Sequence, residues 1–154
     1  MKKTEILLTV ALFAADLISK YLAASKLLFG SSIKLIENFF YLTLVHNEGA
    51  AWGFFAGKLQ LFYVATIATL GVIGYMLFHT EKENKAFRLP LCVVLAGTLG
   101  NFYDRIVFGY VRDFLDFKIF GYDFPVFNFA DICLCCGVFF LILYLLLHPE
   151  DDDE

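Results

Sequence analysis

The stretch at residues 59–78, LQLFYVATIATLGVIGYMLF, contains twenty residues without a formal charge and decides the fold class. A second stretch at residues 132–147, ICLCCGVFFLILYLLL, is also uncharged and almost wholly apolar. About 20 apolar residues, in a helix that rises about 1.5 Å per residue, span the roughly 30 Å hydrocarbon core of a bilayer. Both stretches are therefore predicted to be membrane-spanning helices.

The composition agrees with a membrane protein. Hydrophobic residues make up 60% of the chain and charged residues 18%, whereas soluble domains have about 45–50% and about 25%. These values exclude a disordered chain, a disulfide scaffold and a nucleic-acid binder. The net charge of −4 comes largely from the run at 150–154, which we interpret as a solvated, non-catalytic tail. Four cysteines lie in apolar runs and are interpreted as buried packing residues: Cys92, Cys133, Cys135 and Cys136.

Hydropathy predicts four membrane-spanning helices within one domain that covers residues 1–154. Their approximate bounds are 5–26, 59–78, 89–108 and 130–147. The first span follows a basic N-terminus, as the apolar region of a signal peptide does. However, it continues past Asp16 and Lys20 and is too long for such a region. We therefore interpret the first span as a retained helix.

The distribution of lysine and arginine favours an N-terminus in the cytoplasm. In that orientation five basic residues face the cytoplasm and four face outward. Three of the five, Lys82, Lys85 and Arg88, are concentrated in the short link at 79–88, whereas the outer four are spread over two long loops. We therefore expect both termini in the cytoplasm and the two longer loops at the outer face.

The two outer loops have different compositions. Residues 33–46 are rich in β-branched and aromatic side chains, which predicts a strand or a small sheet at the membrane surface. Residues 109–128 carry many aromatic residues and are predicted to form a half-immersed interfacial segment. Together with the four spans, these loops predict an all-α membrane protein that carries a small extracytoplasmic sheet.

Several polar side chains lie inside the predicted spans, where each ionisable group costs at least a few kcal/mol and is retained for a reason. Asp16 and Lys20 stand four residues apart on one helix face and are predicted to pair. Asn101, Asp104 and Arg105 follow an i, i+3, i+4 pattern and share one face of the third span. Both sets suit a scaffold as well as chemistry, and Arg105 beside Asp104 favours a structural ion pair.

Two further carboxylates are placed differently. Asp113 follows the outer end of the third span, and Asp131 lies in the first turn of the fourth, after Asn128, which is predicted to cap that helix. The two carboxylates are therefore expected at the same depth on the same side. Two close carboxylates cannot both ionise easily, and one proton shared between them is the acid–base arrangement of an aspartic protease. A bound cation or a proton relay would also suit such a pair.

Other classes of function remain open from the residues alone. A small proton- or cation-coupled transporter would use the intramembrane acids as a pathway, although such a pathway should place acids at several depths. An assembly or scaffold subunit explains the helices but not the buried acids. The serines lack the setting of a nucleophile, and the three histidines are dispersed without metal-ligand spacing.

Five motifs together resemble the lipoprotein signal peptidase family, also called signal peptidase II. In chain order they are DLISK at 16–20, NEGAAW at 47–52, GNFYDR at 100–105, VRDF at 111–114 and FNFAD at 127–131. Each motif alone is a weak signal, but five in the family's order within a four-span chain of the same size are a strong one. The family often has valine at the position of Arg112, whose charge would lower the pKa of Asp113 if the side chain folded back.

The resemblance implies an aspartic endopeptidase of the bacterial inner membrane with an active site near the outer face. Such enzymes remove signal peptides from prolipoproteins by cutting before a diacylglyceryl-modified cysteine, and globomycin-type peptides inhibit them. The implied catalytic pair is Asp113 and Asp131, and residues 33–46 correspond to the family's β-cradle. The implied supporting residues are Asp16, Lys20, Asn47, Gly49, Asn101, Asp104, Arg105, Asn128 and Ala130. We expect the chain to act as a monomer in the lipid bilayer, without cofactor, metal or nucleic acid.

Overall fold

A computed structural model describes residues 1–49 and 58–149 of the chain. Its four long helices are α1 (Lys3–Lys26), α2 (Leu59–His79), α3 (Lys85–Phe108) and α4 (Phe129–Leu147). All four are long and apolar enough to cross a membrane, which confirms the four predicted spans. The motif positions 50–52 and the acidic tail at 150–154 lie outside the described residues.

The third helix begins at Lys85, whereas the hydropathy pattern predicted a start at residue 89. Asn84 caps this helix, because its side-chain oxygen accepts the Phe87 N–H at 3.2 Å. Arg88 therefore lies inside α3, and not in the cytoplasmic link to which its charge had assigned it. The side chain is buried because it forms an ion pair with Glu5 of α1, with Nε 2.8 Å from Oε1.

Helix α3 is the centre of the bundle, since α1, α2 and α4 all pack against it. Half of its most apolar window is buried, compared with 11–17% in the other three helices. Glycines allow the close approach of α3 and α4: a Cβ at Gly97 would meet the carbonyl oxygen of Ala130, and one at Gly137 would meet Val94. The helices that carry the GNFYDR and FNFAD motifs are thereby held in direct contact.

A four-stranded antiparallel sheet covers one end of the bundle. Its strands are β1 (Ser32–Ile36), β2 (Phe40–Asn47), β3 (Val111–Ile119) and β4 (Tyr122–Asp123), in the order β1-β2-β3-β4. The sheet predicted for residues 33–46 is confirmed, and residues 109–128, predicted as an interfacial segment, supply its other two strands. Aromatic residues suit a strand as well as a membrane interface, so composition alone did not separate the two.

Two features place the sheet over the helices. Gly109 ends α3 in the left-handed conformation, with φ +81°, and the chain enters β3 two residues later. On the other side, Ala23 and Leu27 of the α1 end pack with Leu44 of β2 and Phe114 of β3. The start of β3 is therefore fixed beside the last turn of α3 and the end of α1.

Candidate active site

Asp113 and Asp131 come from different elements and meet around one asparagine. Asp113 lies near the start of β3, and Asp131 lies in the first turn of α4. Asn128 contacts both: its side-chain Nδ2 donates to Asp113 Oδ1 at 2.6 Å, and its backbone N–H donates to Asp131 Oδ2 at 3.0 Å. The structure thus brings the two sequence-predicted carboxylates to one place.

Asn128 also caps α4, as the sequence predicted. Its side-chain oxygen accepts the backbone N–H of Asp131 at 3.1 Å, while the Asp131 carboxylate accepts the backbone N–H of Asn128. This reciprocal capping box satisfies backbone N–H groups that would otherwise be unpaired at the helix start. The side chain of Asn128 is fully buried, so both aspartates are held by a residue that is itself fixed.

Two more asparagines complete the amide contacts of the pair. Asn101 of α3 donates from Nδ2 to Asp131 Oδ1 at 2.7 Å. Asn47 of β2 donates from Nδ2 to Asp113 Oδ2 at 2.8 Å, and its own Oδ1 accepts the Gly49 N–H at 2.9 Å. Each of the four carboxylate oxygens therefore accepts one amide N–H.

The predicted pair of Asp16 and Lys20 is confirmed. Lys20 Nζ lies 2.8 Å from Asp16 Oδ2, and both side chains are buried. The pair reaches further than its helix, because Asp16 Oδ1 accepts the Ala130 N–H at 2.8 Å. Gly100 makes room for this contact, since a Cβ there would overlap the Asp16 carboxylate. Helix α1 is thus tied to the first turn of α4, next to Asp131.

The expected partner of Asp104 was wrong, because Asp104 pairs with Arg112 and not with Arg105. Arg112 Nη2 lies 2.7 Å from Asp104 Oδ1, its Nε lies 3.1 Å from Oδ2, and its backbone N–H also donates to Oδ2 at 2.9 Å. The turn at Gly109 folds Arg112 back over the last turn of α3, where its guanidinium lies 4.4 Å from the centre of the Phe108 ring. The charge of Arg112 is therefore used on Asp104 and not on Asp113.

Arg105 faces the cavity that the two aspartates line, together with Asn101, whereas Asp104 is buried behind them. The Nη2 of Arg105 donates to the Gly49 carbonyl oxygen at 3.1 Å, and its guanidinium lies 4.4 Å from the centre of the Phe62 ring. The prediction that residues 101, 104 and 105 share one face is therefore correct only in part. Arg105 connects α3 to the loop after β2 and to α2.

Burial makes Asp113 an unusual carboxyl group. Its side chain is 1% exposed. Burial and, next, the nearby charge of Asp131 raise the pKa of Asp113 to about 7, although the hydrogen bonds from Asn128 and Asn47 oppose the rise. Asp113 can therefore keep a proton close to neutral pH, which is the property that the sequence-based hypothesis of a shared proton requires.

A cavity of about 770 Å³ opens beside the two aspartates. Its polar end is formed by the pair and their amide partners, and most of its remaining wall is apolar. The wall contributed by α2 and α4 consists of Phe62, Ala65, Thr66, Thr69, Ile132, Leu134, Cys135 and Cys136. The interpretation of all four cysteines as buried is therefore wrong for Cys135 and Cys136, because a helix that is apolar on every side gives no periodicity from which its faces can be told.

The α2 residues that line the cavity were not predicted, although the sequence carries a signal for them. Phe62, Thr66 and Thr69 are spaced at i, i+4 and i+7, so they share one helix face that carries two hydroxyl groups within an apolar span. Within residues 1–49 and 58–149, no group of three or more His, Cys, Asp or Glu residues is arranged to hold a metal ion. Among these residues, the charged groups that line the cavity are the carboxylates of Asp113 and Asp131 and the guanidinium of Arg105.

Four helices able to cross a membrane, with a buried and a half-buried aspartate beside a cavity, fit a multi-pass membrane protein of the aspartic hydrolase class. A family model described as signal peptidase (SPase) II matches residues 8–147. The chain belongs to the signal peptidase II family.

Relatives and solved structures agree with this assignment. The lipoprotein signal peptidase of Staphylococcus aureus strain bovine RF122 is 40% identical over 98% of this chain and 93% of its own, and that of strain JH9 is 41% identical over the same shares. A bacterial membrane enzyme solved by the in meso method at 2.3 Å resolution has 38% identity and a TM-score of 0.89, over 98% of this chain and 92% of its own. A second, solved at 1.9 Å, has 39% identity and a TM-score of 0.85, over 96% and 94%.

The predicted family, fold class, peptidase class and removal of signal peptides from prolipoproteins are therefore confirmed. The protein is a multi-pass bacterial membrane protein and an aspartic-type peptidase.

Proposed function

We propose that this membrane peptidase cleaves diacylglyceryl-modified prolipoproteins on the N-terminal side of the lipidated cysteine, with Asp113 and Asp131 as the catalytic pair. The observation that carries the proposal is the position of Asn128, which donates a hydrogen bond to each carboxylate and so holds the two together. The relatives from Staphylococcus aureus, which are named lipoprotein signal peptidases, support the choice of substrate.

The raised pKa of Asp113 suits it for the role of the acid, and Asp131 then acts as the base. Asp131 removes a proton from water as the water oxygen bonds to the scissile carbonyl carbon, and Asp113 gives its proton to the carbonyl oxygen. The tetrahedral intermediate collapses when its C–N bond breaks. The leaving nitrogen takes the proton from Asp131, and one hydroxyl group returns a proton to Asp113. Both aspartates regain their starting states.

The supporting residues hold this pair in register. Asn47, Asn101 and Asn128 aim amide N–H groups at the carboxylate oxygens. Asp16 fixes the first turn of α4 through the Ala130 N–H. Preorganised donors of this kind need no rearrangement during the reaction, which is why their positions matter for rate.

The cavity suits a substrate that comes from the bilayer. Its side walls are α2 and α4, whose outward side chains are largely exposed and apolar, so a signal-peptide helix and its lipid chains can stay in hydrocarbon as they approach. The scissile bond then reaches Asp113 and Asp131 at the helix ends, where the sheet begins and water is available. A globomycin-type peptide would occupy the same cavity, and one chain supplies the whole site.

We propose that both termini face the cytoplasm and that the sheet and the aspartate pair lie at the outer face. Arg88 and Arg112 are buried in ion pairs, one from each side of the count, which leaves four of the counted basic residues inward and three outward. The inner four are concentrated near the helix ends at Lys2, Lys3, Lys82 and Lys85.

Purified protein in lipid vesicles tests the substrate and the reaction together. We expect cleavage of a diacylglyceryl-modified precursor before its cysteine, as identified by mass spectrometry, and no cleavage of the same precursor without the lipid. A globomycin-type peptide should block the reaction. Proton or cation flux through the vesicles without any cleavage would instead support the transporter alternative.

The pH dependence of cleavage tests the role of Asp113. Because Asp113 acts as the acid and has a pKa raised to about 7, activity should fall as the pH rises through about 7 and the proton is lost. The measurement is the initial rate of cleavage across pH at saturating substrate. Asp116, on the same strand, accepts a hydrogen bond from Thr43 away from the cavity, so Asp116→Asn should keep the same profile. A rate that stays constant from about pH 6 to about pH 9 would contradict this role.

A further inference from the structure

Lys20 is a fully buried cation that is separated from the aspartate pair by one side chain, that of Asn101. Its Nζ donates to Asp16 Oδ2 at 2.8 Å and to Asn101 Oδ1 at 3.0 Å, and it lies 3.8 Å from Asp104 Oδ2. Asp16 already neutralises this ammonium group, and Asp104, whose carboxylate pairs with Arg112, lies beside it. The contact with the neutral amide of Asn101 is therefore not needed to neutralise the charge.

That contact fixes the direction of the Asn101 amide. A lysine ammonium group has hydrogen-bond donors only. The Asn101 side chain must therefore turn its oxygen Oδ1, and not its Nδ2, toward Lys20. Asn128 Nδ2 also donates to the same oxygen, at 3.1 Å. With Oδ1 held by two donors, Nδ2 must point the opposite way, where it donates to Asp131 Oδ1 at 2.7 Å.

The two aspartates differ in what stands behind their amide donors. Asn101, which donates to Asp131, accepts a hydrogen bond from the ammonium group of Lys20. Asn47, which donates to Asp113, accepts one from the neutral N–H of Gly49. A donor polarised by a cation makes a stronger hydrogen bond to a charged carboxylate than a donor polarised by a neutral amide. The network is therefore unequal across the pair.

We propose that Lys20 is a positioning residue that, through Asn101, makes Asp131 the charged member of the pair and so fixes which aspartate activates water. This inference rests on the proposed catalytic pair and adds to it the residue that assigns the two roles. Lys20 neither lines the cavity nor touches the reacting atoms, and its contact toward Asp131 is made through Asn101. Its charge also acts through space on Asp113, but Asp131 is the aspartate that receives a hydrogen bond from the amide that Lys20 holds.

Other charged and titratable groups surround Asp131, and none of them replaces Lys20 in this contact. They are Asp16 on α1, Tyr63 on α2, Asp104 and Arg105 on α3, Asp113 and Arg112 on β3, and Cys135 on α4 itself. Arg105 donates to Gly49 and Arg112 to Asp104, so Lys20 is the cation in direct contact with an amide donor of Asp131 among the described residues.

The test uses the double variant K20M/D16N, which removes the ion pair without leaving a buried unpaired charge. The matched control is E5Q/R88M, which removes a second buried ion pair, between Glu5 of α1 and Arg88 of α3, far from the aspartates. We expect kcat of K20M/D16N to fall about 10- to 100-fold, the range of one charge-assisted hydrogen bond, with KM within about twofold. The pH of half-maximal activity on the acid side should rise by about one to two units. The folded control should keep the kcat and pH profile of the parent.

A second variant keeps the inference testable if K20M/D16N folds poorly. Asn101→Ala leaves the Lys20–Asp16 pair intact but removes the proposed connection, so it should shift the acid side of the pH profile in the same direction. Adding Asn101→Ala to K20M/D16N should then lower kcat little more than Asn101→Ala alone does, because both changes interrupt the same chain of hydrogen bonds from Lys20 to Asp131.

The outcomes separate the two proposals. If K20M/D16N lowers only the amount of folded protein and keeps the parent kcat and pH profile, or if its effect adds fully to that of Asn101→Ala, the role of Lys20 is structural and the inference is overturned. If variants of Asp113 or Asp131 still cleave, the catalytic pair itself is wrong, whatever Lys20 does.

Discussion

Asp131→Asn should abolish cleavage of a diacylated prolipoprotein while the protein stays folded in the membrane. The substitution removes the base that takes a proton from water. The loss should be at the upper end of the roughly 10²- to 10⁴-fold that one positioned acid or base contributes. The side chain is partly exposed in the cavity and its size is unchanged, so the helix cap formed with Asn128 should largely persist. The measurement is single-turnover cleavage with purified variant at saturating substrate.

Asp113→Asn should abolish cleavage to the same extent, because the asparagine amide is not acidic enough to transfer a proton to the carbonyl oxygen. Its stability should also depend differently on pH. Burial raises the pKa of Asp113 from 3.8 to about 7, so the folded protein binds one proton more than the unfolded chain between these values. The stability of the parent therefore falls as the pH rises from about 4 to about 7, and this contribution should be absent in the variant.

Asp116→Asn is the control for both substitutions, since it makes the same chemical change on β3 outside the cavity and should leave the rate unchanged. Asp104→Asn distinguishes a scaffold carboxylate from a catalytic one. Because Asp104 pairs with Arg112, this variant should have a lower free energy of unfolding, while the fraction that is folded should still cleave the substrate. Robust cleavage by either Asp113→Asn or Asp131→Asn would exclude the pair as the catalytic dyad.

Features that depend on nearby positions in the chain could be predicted from the sequence. The spans follow from runs of apolar residues, the Asn128 cap from its place before α4, and the Asp16–Lys20 pair from a spacing of four residues. Each of these signals is contained in one helix or at its end. The resemblance to a family then supplied the catalytic role of the pair Asp113 and Asp131, which the residues alone left open to several functions.

Features that depend on distant partners could not be predicted. Arg88 was placed in a loop because a charge lowers hydropathy, but its partner Glu5 lies 83 positions away and neutralises it inside the bundle. Residues 109–128 were not recognised as strands, because β3 pairs with β2 across 64 to 77 positions, from Asn47 with Val111 to Phe40 with Phe117. Arg105 is adjacent to Asp104, yet the turn at Gly109 brings the better-placed Arg112 back to it.

Arg88→Met should produce the largest loss of stability among these substitutions. Arg88 forms two hydrogen bonds to the Glu5 carboxylate and donates to the carbonyl oxygens of Leu77 at 2.6 Å and Thr80 at 2.8 Å, so it joins α1, α3 and the end of α2. Methionine fills similar space but leaves the buried Glu5 carboxylate without its cation. Such a loss costs about 3–5 kcal/mol. The measurement is the free energy of unfolding of the purified protein in mixed micelles.

The double variant E5Q/R88M should recover much of that loss, because the cost comes from the unpaired charge more than from the absence of the ion pair. A neighbouring exposed pair supplies the contrast. Lys2 and Glu83 lie 3.3 Å apart at the same end of the bundle, but water surrounds Glu83, so Glu83→Gln should leave stability unchanged within error. If Arg88→Met and Glu83→Gln had equal effects on the free energy of unfolding, burial would not be the reason why the Glu5–Arg88 pair stabilises the protein. The contact of α1, α2 and α3 at this end of the bundle would then depend on the apolar contacts around Leu77 and Leu91.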